Sequence, residues 1–194
     1  IHIPGGYFKT MHNPKTDWCF NIQSDPGLDG RKMNYPRGKT LGGSSSINGL
    51  LYIRGQSRDY DYWRQLGNVG WSWEDVLPYF KKSEDNQREE NEFHGKGGPL
   101  SVEDMRVKMK VLDTFIDAAE EFGFPRQSDF NTGENEGLGY FQVTQRNGLR
   151  CSTAVGYLNP IKNRKNLKII TKSHVKNIEF NNKRAIAVNY WQNN

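Results

Sequence analysis

One short run constrains the backbone more than any other in this chain. Leu41-Gly42-Gly43-Ser44-Ser45-Ser46-Ile47-Asn48-Gly49 leads directly into the apolar Leu50-Leu51-Tyr52-Ile53. Adjacent glycines let a backbone take positive φ and approach a ligand closely. The three serines offer hydroxyls and backbone N–H groups, and a helix starting here would aim its positive end at the same space. Arg37 and Lys39 stand just upstream. Such a bend suits a pyrophosphate, although on residue chemistry alone a plain surface turn is the favoured reading.

Around that bend the punctuation reads clearly. Residues 1 to 40 carry Pro4, Gly5, Gly6, Pro14, Pro26, Gly27, Gly30, Pro36 and Gly38, which predict extended loops with short strands. Ser72 before Trp73-Glu74-Asp75 has capping-box spacing with Asp in place of Glu, so Val76 to Lys82 can follow as a helix that Pro78 would kink or shorten. Glu84 to Pro99 is polar and reads as a loop. Lys108 to Phe122 gives the clearest helix. Val111, Leu112, Phe115, Ile116, Ala119 and Phe122 share a face, and Gly123 is placed to end it. Phe141 to Thr144 suits a short strand. Leu167 to Thr171, Val175 to Phe180 and Ala185 to Tyr190 read as three more, the last two joined through Asn181-Asn182-Lys183 as a hairpin. The fold class expected is mixed α/β.

The 12% aromatic share argues for a packed core, since disordered chains are poor in such residues. A net charge of +5 is spread along the chain without the single basic stripe of a nucleic-acid binder, so no nucleic-acid partner is expected. Cys19 and Cys151 stand far apart and form neither a disulfide framework nor a zinc site. No apolar run approaches the ~20 residues of a membrane span. The opening Ile1-His2-Ile3-Pro4 reads as mid-protein, which predicts an internal piece of a longer polypeptide. No localisation signal is recognisable; the cytoplasm or a peripheral membrane association would both fit.

Other candidate chemistry is weaker. Gly38-Lys39-Thr40 resembles the end of a Walker A loop, but Met33 occupies the position that needs glycine. His2, His12, His94 and His174 have no neighbour at ligand or triad spacing, and surface or packing roles are expected for all four. Trp63, Trp71 and Trp73 could form a stacking platform; irregular spacing favours packing.

Read together, Pro36-Arg37-Gly38-Lys39-Thr40 with the bend that follows, then Tyr52-Ile53-Arg54-Gly55, is similar to the first signature of the glucose-methanol-choline (GMC) oxidoreductases. The similarity continues through Asp59-Tyr60-Asp61-Tyr62-Trp63, Gly70-Trp71-Ser72-Trp73, His94-Gly95-Lys96-Gly97-Gly98-Pro99-Leu100, Arg150-Cys151-Ser152-Thr153-Ala154 and Asn166-Leu167. It spans nearly the whole chain and resembles the choline-dehydrogenase branch most.

The resemblance implies part of an FAD-binding Rossmann-like domain over residues 1–194, lacking its first βαβ unit, with 56–140 as a lid or substrate-side insertion. It implies a parent that oxidises small alcohols with FAD. The cofactor residues implied are Arg37, Gly42, Gly43, Ser44, Asn48, Gly49, Leu51 and Val175. Ser44 would face the phosphates, Asn48, Gly49 and Leu51 the ribityl chain and ring, and Val175 the adenine through its backbone. Locally, Asn48 could instead cap a helix and Val175 could be an ordinary strand residue. Where some members attach FAD through a histidine, this chain has Ile47, so a non-covalent flavin is expected. No catalytic residue is expected in this segment, because the family's proton-abstracting histidine matches a position beyond Asn194 and the G-x-G-x-x-G fingerprint one before Ile1. Two alternatives stand beside this reading: a hydroxynitrile lyase of the same fold, and a truncated, non-catalytic piece that folds poorly alone.

Overall fold

The computed structural model describes residues 1–192 and divides them into two compact units, Ile1–Pro160 and Ile161–Asn194. In the first unit the elements run α1 (Tyr7–Thr10), β1 (Phe20–Asn21), β2 (Asn34–Tyr35), β3 (Leu51–Tyr52), α2 (Ser57–Gln65), α3 (Trp73–Ser83), β4 (Glu84–Asn86), β5 (Leu100–Asp104), α4 (Lys110–Glu121), β6 (Gln142–Val143), β7 (Gln145–Arg146) and β8 (Leu149–Arg150). A four-stranded sheet in the order β3-β6-β5-β4 forms its centre. β6 pairs antiparallel with β3 and β5, whereas β5 and β4 run parallel.

The predicted helices form where the apolar period placed them. In α3, the Ser72 hydroxyl accepts from the Asp75 N–H and the Asp75 carboxylate accepts from the Ser72 N–H. Both orphan donors are thereby satisfied. The helix begins at Trp73 and runs through Pro78 to Ser83 instead of breaking there. α4 ends just before Gly123, whose φ of +101° is the left-handed geometry of a helix stop. Only part of its apolar face is covered: Ile116 is 7% exposed and Phe115 63%. Tyr60, Trp63, Trp71, Trp73 and Phe80 pack edge-on or tilted, joining α2 to α3. Packing is therefore the role the tryptophans show, with Trp63 and Trp71 half exposed.

Two expectations are corrected. Glu84 to Pro99 is not all loop, because Glu84–Asn86 forms β4 against β5 and is buried at both ends. Its charges looked like surface residues in sequence but are neutralised inside. Leu167 to Thr171 is not a strand. No described strand pairs with it to take up its backbone groups, and the one bond at its start is a turn from the Leu167 N–H to the Arg164 carbonyl.

In the second unit, β9 (Ser173–Asn181) and β10 (Arg184–Gln192) form an antiparallel hairpin turned at Asn182-Lys183. Asn182 takes the positive φ such a tight turn needs.

Candidate functional site

The bend folds as a single 3-10 turn, Gly43–Ser46, entered through Gly42 at φ +87°. A side chain at Gly42 would be strained and would meet the Ser46 hydroxyl at 2.6 Å. Gly38 passes so close beneath the turn that a Cβ there would lie 2.1 Å from the Gly43 carbonyl oxygen. The sequence needs glycine at 38 and 42 to fold this way. At Gly43 and Gly49, by contrast, a Cβ would meet nothing within 4 Å, so the turn shows a bare backbone edge to open space.

The serines divide their duties differently from the expectation. Ser45 Oγ donates to the Gly42 carbonyl and accepts from the Thr153 N–H, and Ser46 Oγ donates to the Leu41 carbonyl. Ser44 alone is exposed, its Oγ accepting from the Gly38 N–H. The Gly43, Ile47 and Asn48 N–H groups also donate within the bend. Much of the polar surface that seemed meant for a ligand therefore braces the turn. Ser44 and the edge at Gly43 are the parts of the turn left facing open space.

The exit is under tension. Leu50 sits at φ +68°, uncommon for a bulky residue, and is buried. Its carbonyl accepts from the Thr144 N–H and hydroxyl, and its N–H donates to the Asn48 side-chain oxygen. This holds the conformation and turns Leu51 outward, where it is half exposed. Asn48 caps no helix; its amide oxygen closes this kink. Ile47 points the other way and is 2% exposed.

Arg37 and Lys39 lie on aromatic faces. The Arg37 guanidinium sits 3.7 Å from the Tyr35 ring centre and the Lys39 ammonium 4.8 Å from that of Trp18. Asp17, buried below, accepts from the backbone N–H groups of His12, Cys19 and Arg37, which ties this strip to the N-terminal loop. Gly42, Gly43, Ser44, Asn48, Gly49 and Leu51 thus share one bend, with Arg37 on the strip before it. Val175 lies in β9 of the second unit, on an exposed strand position.

Behind the bend stands Arg150, a residue to which sequence reasoning gave no role. It is 2% exposed. Its guanidinium donates to the carbonyls of Ile1, Ser45 and Asn48 and, at 2.7 Å, to the Asn48 side-chain oxygen. The only sequence signal was its place in the Arg150-to-Ala154 run.

A second polar centre lies beneath the sheet. His94 is fully buried; its Nε2 is 2.6 Å from an Asp129 oxygen and its Nδ1 3.0 Å from Glu84. Glu84 also accepts from Arg54 at 2.9 Å, from the Asn86 amide and from the Gly95 N–H. Burial works against a charged imidazole, yet the hydrogen bonds to Asp129 and Glu84 outweigh it and raise the His94 pKa to about 9. Burial likewise works against the two carboxylates, and their bonds to His94 win, holding both below the usual range. His94 is thus packed, as expected, but between two acids that sequence spacing did not reveal. Two cations and two anions balance, and each is bonded, the condition under which buried charge is tolerated. No cluster of His, Cys, Asp and Glu among the described residues could hold a metal, and no described helix is long and apolar enough to cross a membrane.

Comparison with known proteins agrees with this geometry. A family model described as GMC oxidoreductase matches residues 1–194. The alcohol dehydrogenase (acceptor) of Pseudomonas putida is 40% identical over 195 residues, covering 100% of this chain and 35% of the relative. The oxygen-dependent choline dehydrogenase of Vibrio vulnificus is 40% identical over 192 residues, covering 98% of this chain and 34% of the relative. The chain spans about a third of the length of these curated relatives. Among solved structures, pyridoxine 4-oxidase from Mesorbium loti superposes with a TM-score of 0.91 at 28% identity over 98% of this chain and 38% of that one. An FAD-dependent oxidoreductase from Chaetomium thermophilum gives 0.85 at 27% identity, over 94% of this chain and 35% of that one. In sequence and in fold, this chain belongs to the GMC oxidoreductase family.

Proposed function

We propose that this chain forms one wall of an FAD site in an enzyme that oxidises the CH–OH group of a small alcohol, in the manner of choline dehydrogenase. The observation that carries the reading is the bend's open edge. Ser44, Asn48, Gly49 and Leu51 face outward beside bare backbone at Gly43, while the side-chain oxygens of Ser45, Ser46 and Asn48 are engaged within the fold. Such an edge fits a flat, polar, anionic cofactor, because main-chain atoms can approach it without a side chain intervening. FAD supplies the hydride-accepting chemistry when bound.

The chain's own residues bind and orient. Ser44 and the Gly42-Gly43 backbone border the phosphates, and Arg37 adds positive charge nearby. Asn48, Gly49 and Leu51 line the ribityl chain and ring, and the backbone at Val175 borders the adenine. No histidine stands at position 47, and the buried Ile47 side chain offers no nucleophile, so the flavin is held without a covalent bond. Residues 56–140, which carry the aromatic pack and α4, serve as the lid and substrate-side part. Relatives named as alcohol and choline dehydrogenases support an alcohol as substrate.

The test uses the full-length protein. It should purify yellow, with FAD released on denaturation, and should reduce an electron-accepting dye when given choline or a simple primary alcohol. A protein that is colourless, and remains so after incubation with FAD, rejects the reading.

A further inference from the structure

Arg150 is a buried cation paired with no carboxylate among the described residues; its guanidinium donates to carbonyl and amide oxygens. Burial lowers its pKa, as expected for a cation withdrawn from water without an opposing charge. Buried charge of this kind is costly, and well-packed apolar residues would serve bare stability as well or better. Its placement is specific. Two of its nitrogens hold Asn48, one on the main-chain oxygen and one on the side-chain oxygen. That side-chain oxygen also accepts from the Leu50 N–H, so the amide can turn only one way. With the oxygen held inside, the exposed Asn48 presents its NH₂ group outward as a pure donor.

We propose that Arg150 is a positioning residue for the flavin: it fixes the Asn48 amide as a hydrogen-bond donor towards the cofactor and keeps an unneutralised positive charge directly behind the bend. The proposal rests on the reading that this edge faces FAD. Its chemical consequence is selective. With FAD on this edge, a fixed donor and a cation behind the bend would favour the reduced, more negative flavin over the oxidised one. Arg150, 2% exposed, acts through Asn48 and the bend.

The decisive variant is Asn48→Asp in the full-length protein. Aspartate still accepts from Arg150 and Leu50, so the turn keeps its internal bonds, but the outward donor becomes an acceptor and the guanidinium gains a counter-charge. We expect FAD to bind about tenfold or more weakly, the scale of losing one hydrogen bond and leaving its partner facing an acceptor. The two-electron midpoint should fall by about 30 mV or more, equivalent to a tenfold loss of preference for the reduced form. Arg150→Lys, which keeps the charge but cannot span the same acceptors, should lose FAD affinity while keeping its midpoint nearer the wild type. Melting of the apoprotein serves as control: with the guanidinium given a counter-charge, Asn48→Asp should melt at or above the wild type, so weaker FAD binding would not reflect a damaged fold. If Asn48→Asp binds FAD with unchanged affinity and midpoint, Arg150 has no positioning role and the proposal is overturned. If the wild-type protein itself takes up no FAD, the functional reading fails first, and the two failures are distinct.

Discussion

Replacing His94 by glutamine should change how the protein's stability depends on pH, and the structure sets both sign and size. The imidazole is enclosed by Glu84 and Asp129, with Arg54 on Glu84 and Arg88 3.5 Å from Asp129. Its pKa is raised to about 9 in the folded chain, against ~6.5 when unfolded. A raised pKa contributes stability that is complete below the unfolded value and lost as pH rises through the folded one. Between about pH 6.5 and 9 the folded state holds one more proton, so stability falls by about 1.4 kcal/mol per pH unit, or about 3 kcal/mol over the window. Glu84 and Asp129 are shifted the opposite way. Their contribution is present above ~4 and is lost as pH falls through their lowered folded values. The same contacts produce all three shifts, so the amounts do not add. His94→Gln removes the titration and leaves two buried carboxylates facing a neutral amide. The assay is urea unfolding of full-length wild-type and variant protein from pH 5 to 10 at fixed FAD concentration. The gap in stability should be widest near pH 5.5 to 6.5 and should close as the wild type loses its extra proton towards pH 9. A gap that stays constant from pH 6 to 10 refutes a charged His94.

Other perturbations give simpler outcomes. Gly38→Ala puts a methyl group 2.1 Å from the Gly43 carbonyl, where only backbone can yield; flavin content of the purified protein should drop severalfold, and full occupancy would show that the bend adapts. Acid precipitation of the full-length protein should leave the flavin in the supernatant, whereas flavin in the pellet would contradict non-covalent binding. The isolated 194-residue chain, with Val111 and Phe115 of α4 and the adjoining Phe122 largely exposed, should melt without a cooperative transition by circular dichroism; a sharp transition would show that these faces need no cover.

Sequence disclosed the parts of this fold that local chemistry decides. α4 followed from its apolar period and Gly123, α3 from its capping box, and the hairpin from Asn182 with alternating flanks. Long-range pairing was hidden. Glu84 read as part of a polar loop and His94 as no more than a surface or packing residue, because the ion partners that enclose them come from other parts of the chain. Leu167 to Thr171 has strand composition, but composition does not supply a neighbouring edge. At the site, the bend and its Gly42 were legible; that Gly38 must pass beneath it was not. The direction of each serine was not, since Ser45 is drawn inward by Thr153, far along the chain. Arg150 was invisible for the same reason: all four of its acceptors lie about a hundred residues or more away, and nothing local marks an arginine that will be buried.

Whether the Gly42-to-Leu51 edge lies against FAD is decided by a crystal structure of the full-length protein with its cofactor. The expected map shows cofactor oxygen atoms within hydrogen-bond distance of Ser44 and of the Asn48 amide nitrogen, with the Gly43 backbone in contact with the pyrophosphate. A cofactor bound elsewhere, with this edge turned to bulk water, would contradict it.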